Sequence, residues 1–585
     1  MLEPDARAAL TEQLRPPHGY ELANAVGTTF TLDLTSALAI PLSFAGHEVR
    51  ESDDPIAILD AVRRAAERVD LFAQAGHIAV PRQASDLVAF LEPMTHTVVS
   101  RRTRALFHPK VWLLEFARGT ERAYRLICSS RNLTSDRSWD MVVRLDGVSS
   151  GEPVPQNEPL HEFVRQLPEL ATVPLPSARQ RRIADFAERL RNVEWELPPE
   201  TRELHFHAFG IGLPVRIDFT GKRHLVISPF ATDEGLERVT AGNKEPAYVV
   251  SRAESLDRLT PATLRRIQPY VLDDAARDSE EREDDPLVGL HAKTYVLDRK
   301  SGSRVFIGSA NATEAAFGGN VEFVIELVGK QNAIGVDATF GETTGLRQLM
   351  IPYSTEGGVQ ETDTEKADRA LENVVRALAA VRFRNTVTAA ETDTYSIVTE
   401  ALGPVPTFEG VEMQVQLLTR PGNAHVLPDA QGESVVFVGL DLTDITPFLV
   451  VRATDHRGEQ RTSVVNAQLV GDISHRRDAV LARQIDSPEK FLRFLFLLLS
   501  LGGAGFAAAL RESGGGVMGD WAAGGAGVFE SLVRALGSNP TALEDLARLI
   551  DRFRLGDSEP VLPEGFEELW DAVWSAHRAE NRSAS

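Results

Sequence analysis

The chain has 585 residues, 43% of them hydrophobic and 25% charged, ordinary globular usage that excludes disordered, collagen-like and coiled-coil classes. Its formal net charge of −22 repels phosphate polymers and anionic membranes on average, so any nucleic-acid site has to be a local basic groove. A single cysteine, Cys128, excludes an internal disulfide and a Cys-x-x-Cys zinc site, and the first residues lack a basic then apolar run, so a reducing, cytoplasmic setting is expected.

Short apolar runs at 69–72, 111–116 and 124–128 read as buried strands, and residues 55–69 have helical periodicity. Phe107-His108-Pro109-Lys110 leads into the second of these strands, and Ser129-Ser130-Arg131-Asn132 and then Asp140 follow the third. A polar loop at 151–159 and an arginine-containing helical pattern at 177–193 come next.

The pattern then returns. Strands are expected at 224–227, 294–297 and 304–307, a helix at 231–241, and the polar residues recur as Leu290-His291-Ala292-Lys293, Gly308-Ser309-Ala310-Asn311 and Glu322. The two histidines are 183 residues apart, the two asparagines 179, and Asp140 and Glu322 182. Near-constant spacing over three elements predicts two α/β lobes of one fold.

The expected division is a first lobe over 1–175, a linker helix over 176–200, a second lobe over 201–358, a connecting helix over 359–384, a β-rich domain over 385–475 and a helical region over 476–585. The run 494–510 is uncharged but broken by Gly502-Gly503, and it reads as a buried helix rather than a membrane span. The acidic stretch 273–286 reads as a solvated loop. No catalytic pattern appears after residue 360, so chemistry is expected to survive without this half, which would tune substrate choice or bind protein partners.

In a strand, residues two apart share a face, so each motif is expected to present an imidazole beside an ammonium. Only eight of the 62 basic residues are lysines, and two of them are Lys110 and Lys293. Ser130 with Asn132, and Ser309 with Asn311, follow at the next strand's end and can join the pair around one phosphate. Phosphodiester cleavage without a metal needs a nucleophile, a proton donor for the leaving oxygen and positive donors around the other oxygens. His108 and His291 can divide the first two roles, and Asp140 and Glu322 are the candidate carboxylates that set their protonation. No cofactor and no metal is expected. His205 and His207 read as structural, Cys128 as a packed thiol, and Arg101, Arg102 and Arg104 as residues that can flank a nucleic-acid backbone.

These motifs resemble the phospholipase D superfamily, whose signature is His-x-Lys-x4-Asp followed by Gly-Ser-x-Asn or a close variant. His291, Lys293, Asp298, Gly308, Ser309 and Asn311 match in full; the first copy has Glu115 at the aspartate position and Ser129 at the glycine. The resemblance covers about residues 20–350 and implies a two-lobed α/β/α body with one site at the lobe interface, here with an appended β-rich and helical C-terminal region. It implies a phosphohistidine intermediate, with His108 the nucleophile and His291 the acid, though chemical symmetry allows the reverse. Of its branches, the short motif spacing favours bacterial nucleases of restriction and phage defence, with DNA as substrate. Tyrosyl-DNA phosphodiesterase is similar through His291-Ala292-Lys293-Thr294-Tyr295 and Ser309-Ala310-Asn311, against which Asp298 counts. A phospholipase acting on phospholipid and a non-catalytic nucleic-acid-binding protein fit the same motifs; nothing in the sequence points to a membrane.

Overall fold

The structure is a computed structural model that describes residues 10–44, 63, 65–81, 86–134, 138–212, 214–273, 289–342, 345–390, 394–428, 433–473 and 476–485, isolated positions from 491 to 563, and residues 566–583. Most of the expected helix at 55–69, the acidic stretch after Asp273 and, apart from Leu495, the apolar run at 494–510 lie outside these described residues. Among the described residues, no helix is long and apolar enough to cross a membrane.

The first lobe is built on β1 (Glu21–Thr29), β2 (Val69–Gln74), β3 (Thr95–Val98), β4 (Val111–Arg118), β5 (Glu121–Ser129), β6 (Val142–Ser149) and β7 (Val193–Trp195), with helices α1 (Glu158–Gln166) and α2 (Ser177–Leu190) between the last two strands. The sheet order is β7-β6-β5-β4-β1-β2-β3. Strands β1, β2 and β3 run parallel, and β4, β5 and β6 add antiparallel neighbours on the other side. All six residues of β2 and the first six of β4 are buried, as expected of strands covered on both faces.

The second lobe repeats this plan with β8 (Thr201–Phe209), β9 (Arg223–Ile227), α3 (Asp233–Val239), β10 (Ala247–Val250), β11 (Ile267–Leu272), β12 (Thr294–Arg299), β13 (Gly302–Gly308), β14 (Glu322–Gly329) and β15 (Met350–Pro352). Its order is β8-β14-β13-β12-β9-β10-β11-β15. The segment β14-β13-β12-β9-β10-β11 matches β6-β5-β4-β1-β2-β3 strand for strand, including every parallel and antiparallel pairing. The repeat seen in the motifs is therefore a repeat of topology.

The two lobes share one hydrophobic core. Residues of β4, β5 and α1 pack with residues of β8, β13 and β14, and the Phe163 and Phe323 rings are 5.1 Å apart. Cys128 at the end of β5 meets the carbonyl of Ile307 at the end of β13, and these two positions correspond in the repeat, so they lie where its approximate two-fold axis passes.

Helix α4 (Asp363–Ala379) starts with a capping box, Thr362 accepting from the Glu365 amide while the Glu365 carboxylate accepts from the Thr362 amide. Its buried Leu371, Val374, Val375 and Leu378 recur at helical spacing and face a sandwich of two four-stranded sheets. The strands are β16 (Phe383–Ala389), β17 (Tyr395–Ala401), β18 (Glu412–Leu417), β19 (His425–Val426), β20 (Ser434–Leu440), β21 (Phe448–Thr454), β22 (Gln460–Asn466) and β23 (Gln468–Val470), in orders β20-β17-β16-β23 and β19-β18-β21-β22. This sandwich sits directly on the first lobe. Phe448, Val450 and Val464 enter that lobe's core, Ser463 bonds the main chain of Ile78, Asn466 donates to the Thr95 carbonyl, and Arg476 pairs with buried Glu92 at 2.7 Å.

Candidate active site

Each His-x-Lys motif lies in the extended segment just before its strand, β4 or β12, rather than within it. The reason is that the other lobe takes the main chain there. Phe107 bridges Val321 in parallel register, and the His108 amide donates to the Val321 carbonyl at 2.8 Å. In the second copy, Gly289–Leu290 pairs in parallel with Ser138–Trp139, and the His291 amide donates to the Trp139 carbonyl at 2.8 Å. Each histidine is thus clamped by the residue that precedes the opposite lobe's carboxylate, Glu322 or Asp140. One site arises from two chain segments that exchange places.

The His108 Nδ1 lies 2.9 Å from Oε2 of Glu322, a fully buried side chain that also accepts from the Ser309 hydroxyl and, at 3.3 Å, from Asn320 Nδ2. Lys110 and Lys293 are each 1% exposed. Their ammonium groups fold back onto the carbonyls of His108 and His291, at 2.9 and 2.8 Å. Two buried ammonium groups in one site are costly unless an anion joins them. Asn132 and Asn311, in corresponding turns, each leave a buried Oδ1 without a hydrogen-bond partner. The two lobes and their paired motifs are arranged as the phospholipase D resemblance implies.

Burial and the charges of this site shift its titrations. Burial pushes the His108 imidazole down to about 4; Glu322 opposes this, while Lys110 and Lys293 add to it. Burial also pushes the Lys110 ammonium down to about 7, against the attraction of Glu322. His291 is pushed well below the usual histidine range by burial, then by Lys293, Lys110, His108 and Arg252. Lys293 is lowered by burial and by Lys110, with Glu322 and Asp140 working the other way. Half-buried Asp140, the counterpart of Glu322 in the repeat, thus acts on the second lysine. A site in which cationic groups outnumber anionic ones can take up an anion such as a phosphate group.

The supporting residues divide. Ser130 and Ser309 accept from the Met141 and Phe323 amides, at 2.9 and 3.0 Å, and so tie each asparagine turn to the following strand. A Cβ on Gly308 would lie 2.2 Å from the Phe323 carbonyl, which explains the glycine there, whereas Ser129 has room for a bond to the Arg131 carbonyl. Glu115 lies about 17 Å along the strand from Lys110, bonded to Arg189 of α2 at 2.7 Å and to Asn24. Asp298 holds Ser303 at 2.6 Å and the Val336 amide at 3.2 Å. Both carboxylates brace outer elements and do not reach the histidines.

Arg101, Arg102 and Arg104 are exposed on the loop before the first motif. Arg101 pairs with Glu169, Arg102 donates to the Gly318 carbonyl at 2.9 Å, and both line a cleft of about 220 Å³ with Phe209, Val215, Phe317 and Asn320. His207 lies 2.8 Å from Glu326 and His205 3.2 Å from Glu203, so strand pairing and a residue two positions away supply these histidines with carboxylates. The Cys128 thiol is pushed up to about 12 by burial. Among the described residues, one His and carboxylate cluster has metal-ligand spacing, Glu158, His161 and Glu162 on α1, and its carboxylates are paired with Arg191 and Arg165.

Four residues around the site escaped the sequence reading. Phe30 stands edge-on to His108, with centroids 5.0 Å apart, and against His77 at 4.0 Å. Arg252 donates to the Leu290 carbonyl at 3.1 Å, and its guanidinium lies 5.1 Å from the Phe230 ring. Phe30 and Phe230 follow strands β1 and β9, a place in the lobe where a ligand is expected, and this was the available signal.

No family model and no curated protein matches the sequence. Among solved structures, yeast tyrosyl-DNA phosphodiesterase is similar at 14% identity and a TM-score of 0.38, over 60% of this chain and 95% of that one. Phosphatidylserine synthase of Haemophilus influenzae Rd KW20 is similar at 12% identity and a TM-score of 0.33, over 62% of this chain and 90% of that one. Likenesses this weak say nothing about substrate.

Proposed function

We propose that this chain is a metal-independent phosphodiesterase that hydrolyses nucleic acid, DNA foremost, through a phosphohistidine. The observation that carries this reading is the difference between the two histidines. A carboxylate at His108 Nδ1 holds a proton there and leaves Nε2 with a lone pair. At His291 the Nδ1 faces the Lys293 Nζ at 3.5 Å, and this ring donates from Nε2 when it is protonated to the imidazolium. One ring is set to attack and the other to donate.

In the first step His108 Nε2 attacks phosphorus, the bond to the leaving oxygen breaks, and that oxygen takes a proton from Nε2 of His291 in its imidazolium form, which becomes neutral imidazole. In the second, water attacks phosphorus, gives its proton to His291, and the N–P bond breaks to release the phosphate and restore His108. Lys110, Lys293 and the two asparagine side chains surround the non-bridging oxygens. Burial first and the neighbouring cations second keep the imidazoles neutral in the free protein, and a bound negative phosphate acts against this and favours the imidazolium form of His291. A role in restriction or phage defence rests on the motif resemblance alone.

The test is incubation of the purified protein with single- and double-stranded DNA, RNA and phosphatidylcholine vesicles, followed by acid-free quenching and mass analysis of the His108 peptide. Cleavage of DNA with a phosphate adduct on His108 is expected. Cleavage of phosphatidylcholine alone, or an adduct on neither histidine, would overturn the proposal.

A further inference from the structure

Phe230 is 48% exposed, and among the described residues it is the phenylalanine most open to solvent. A single exposed aromatic is ordinary on a protein surface, and it is the place of this one beside the site that distinguishes it. Its position is fixed rather than loose: the Ser228 hydroxyl donates to the Phe230 carbonyl at 2.7 Å and accepts from the Ala312 amide at 3.0 Å, next to Asn311. The Arg252 guanidinium lies over the ring at 5.1 Å, and its Nε is bonded to the Leu290 carbonyl, adjacent to His291. The ring and the guanidinium therefore flank the half of the site that holds His291 and Lys293.

The first lobe differs at the matching places. The residue corresponding to Arg252 is Gln74, which is buried, uncharged and bonded to the Phe107 amide at 2.6 Å. Thr31, whose carbonyl accepts from Thr29 as that of Phe230 does from Ser228, stands in the place of Phe230 and has no ring, and Phe30 one residue before it is already packed against His77 and His108. The first lobe also sets a ring near a cation, Phe30 at 5.8 Å from the Lys110 ammonium, but that lysine is buried; among the described residues around the site, the solvent-open ring beside a guanidinium is on the His291 side, where the proposed chemistry places the leaving group.

We infer that Phe230 and Arg252 form a stacking platform for an unpaired nucleobase next to the scissile phosphate, so that the preferred substrate is single-stranded polynucleotide. This rests on the phosphodiesterase reading for the position of the phosphate. Stacking on an aromatic ring is tolerant of base identity because every base has a π-face, and Arg adds a cation–π contribution. A base stacked there has left its neighbours, which in a duplex requires costly unpairing. With a net charge of −22 the chain repels a phosphate polymer on average, which adds to that cost for a duplex.

The experiment measures binding in the inactive His108→Ala background, so that cleavage does not obscure affinity. Phe230→Ala and Phe230→Trp are compared with the parent for a short oligothymidylate, for a blunt DNA hairpin and for phosphatidylcholine vesicles. Expected is a loss of about tenfold or more for the oligothymidylate in Phe230→Ala, the size of one base stack, with affinity kept in Phe230→Trp and hairpin binding unchanged. Equal oligothymidylate affinity in Phe230→Ala and the parent, or a loss confined to vesicles, overturns the inference. Failure of the phosphodiesterase reading shows separately, as a wild-type protein that cleaves none of the diesters.

Discussion

His108 and Glu322 stand 2.9 Å apart although they belong to different lobes. The carboxylate that orients the first histidine is thus delivered by the second repeat, and neither lobe contains a complete site. Glu322→Gln keeps the shape and removes the charge. A fall in kcat/KM of about a hundredfold or more is expected, in the range of a lost acid–base contribution, with little change in melting temperature. Steady-state kinetics beside thermal unfolding checks this.

The depressed His108 titration makes stability depend on pH. Between about 6.5 and about 4 the unfolded chain holds a proton on this imidazole that the folded chain does not, so stability falls as pH drops through that window. His108→Gln removes this contribution. Chemical denaturation at several pH values should show a shallower acid dependence in the variant.

Lys110 works on the alkaline side. Because its folded value is lowered to about 7, the folded chain holds fewer protons than the unfolded one from there up to about 10.5, and stability rises with pH across that range. At neutral pH the buried ammonium is a burden that a phosphate-like anion relieves. Tungstate should therefore raise the melting temperature of the wild type. Lys110→Met should abolish activity and the tungstate effect while leaving the free protein no less stable, since a buried charge is replaced by an apolar side chain of similar size.

Gly76 precedes His77 and has φ +87°, and a Cβ there would lie 2.7 Å from the Arg376 Cα of α4. Gly76→Ala meets both a conformational penalty and a backbone clash, with a cost of about 1–3 kcal/mol. Reduced melting temperature with shifted packing between α4 and the first lobe, read by hydrogen exchange, is the expected outcome.

Truncation after residue 360 uncovers the first-lobe surface on which Phe448, Val450 and Val464 pack, and it leaves buried Glu92 without Arg476. The sequence predicts that chemistry survives this cut, whereas the packing predicts a loss of folding. Each buried aromatic or aliphatic side chain contributes about 1.5–3 kcal/mol, and an unpaired buried charge adds to the cost. Aggregation or a non-cooperative melt of the 1–360 fragment is the expected result, and a soluble, active fragment would contradict it.

The doubled motif was legible in the sequence because chemistry forced the same residue types to recur at one spacing, and the strands around it were legible because full burial demands continuous apolar runs. His108, Lys110, His291, Lys293, Asn132 and Asn311 could be named from that pattern. Asp140 and Glu322 could be named as candidate carboxylates, but which histidine each would serve was not written there. The pairing of His108 with Glu322, the clamping of each motif by the opposite lobe, and the removal of Glu115 and Asp298 to bracing roles all depend on contacts between residues far apart in the chain. Phe30, Phe230 and Arg252 carry no motif, and only the packing of the strand ends brings them to the site. Local pattern reports what a residue can do chemically; which charge or ring stands beside it is decided by tertiary packing, which acts across the chain and leaves no periodic trace.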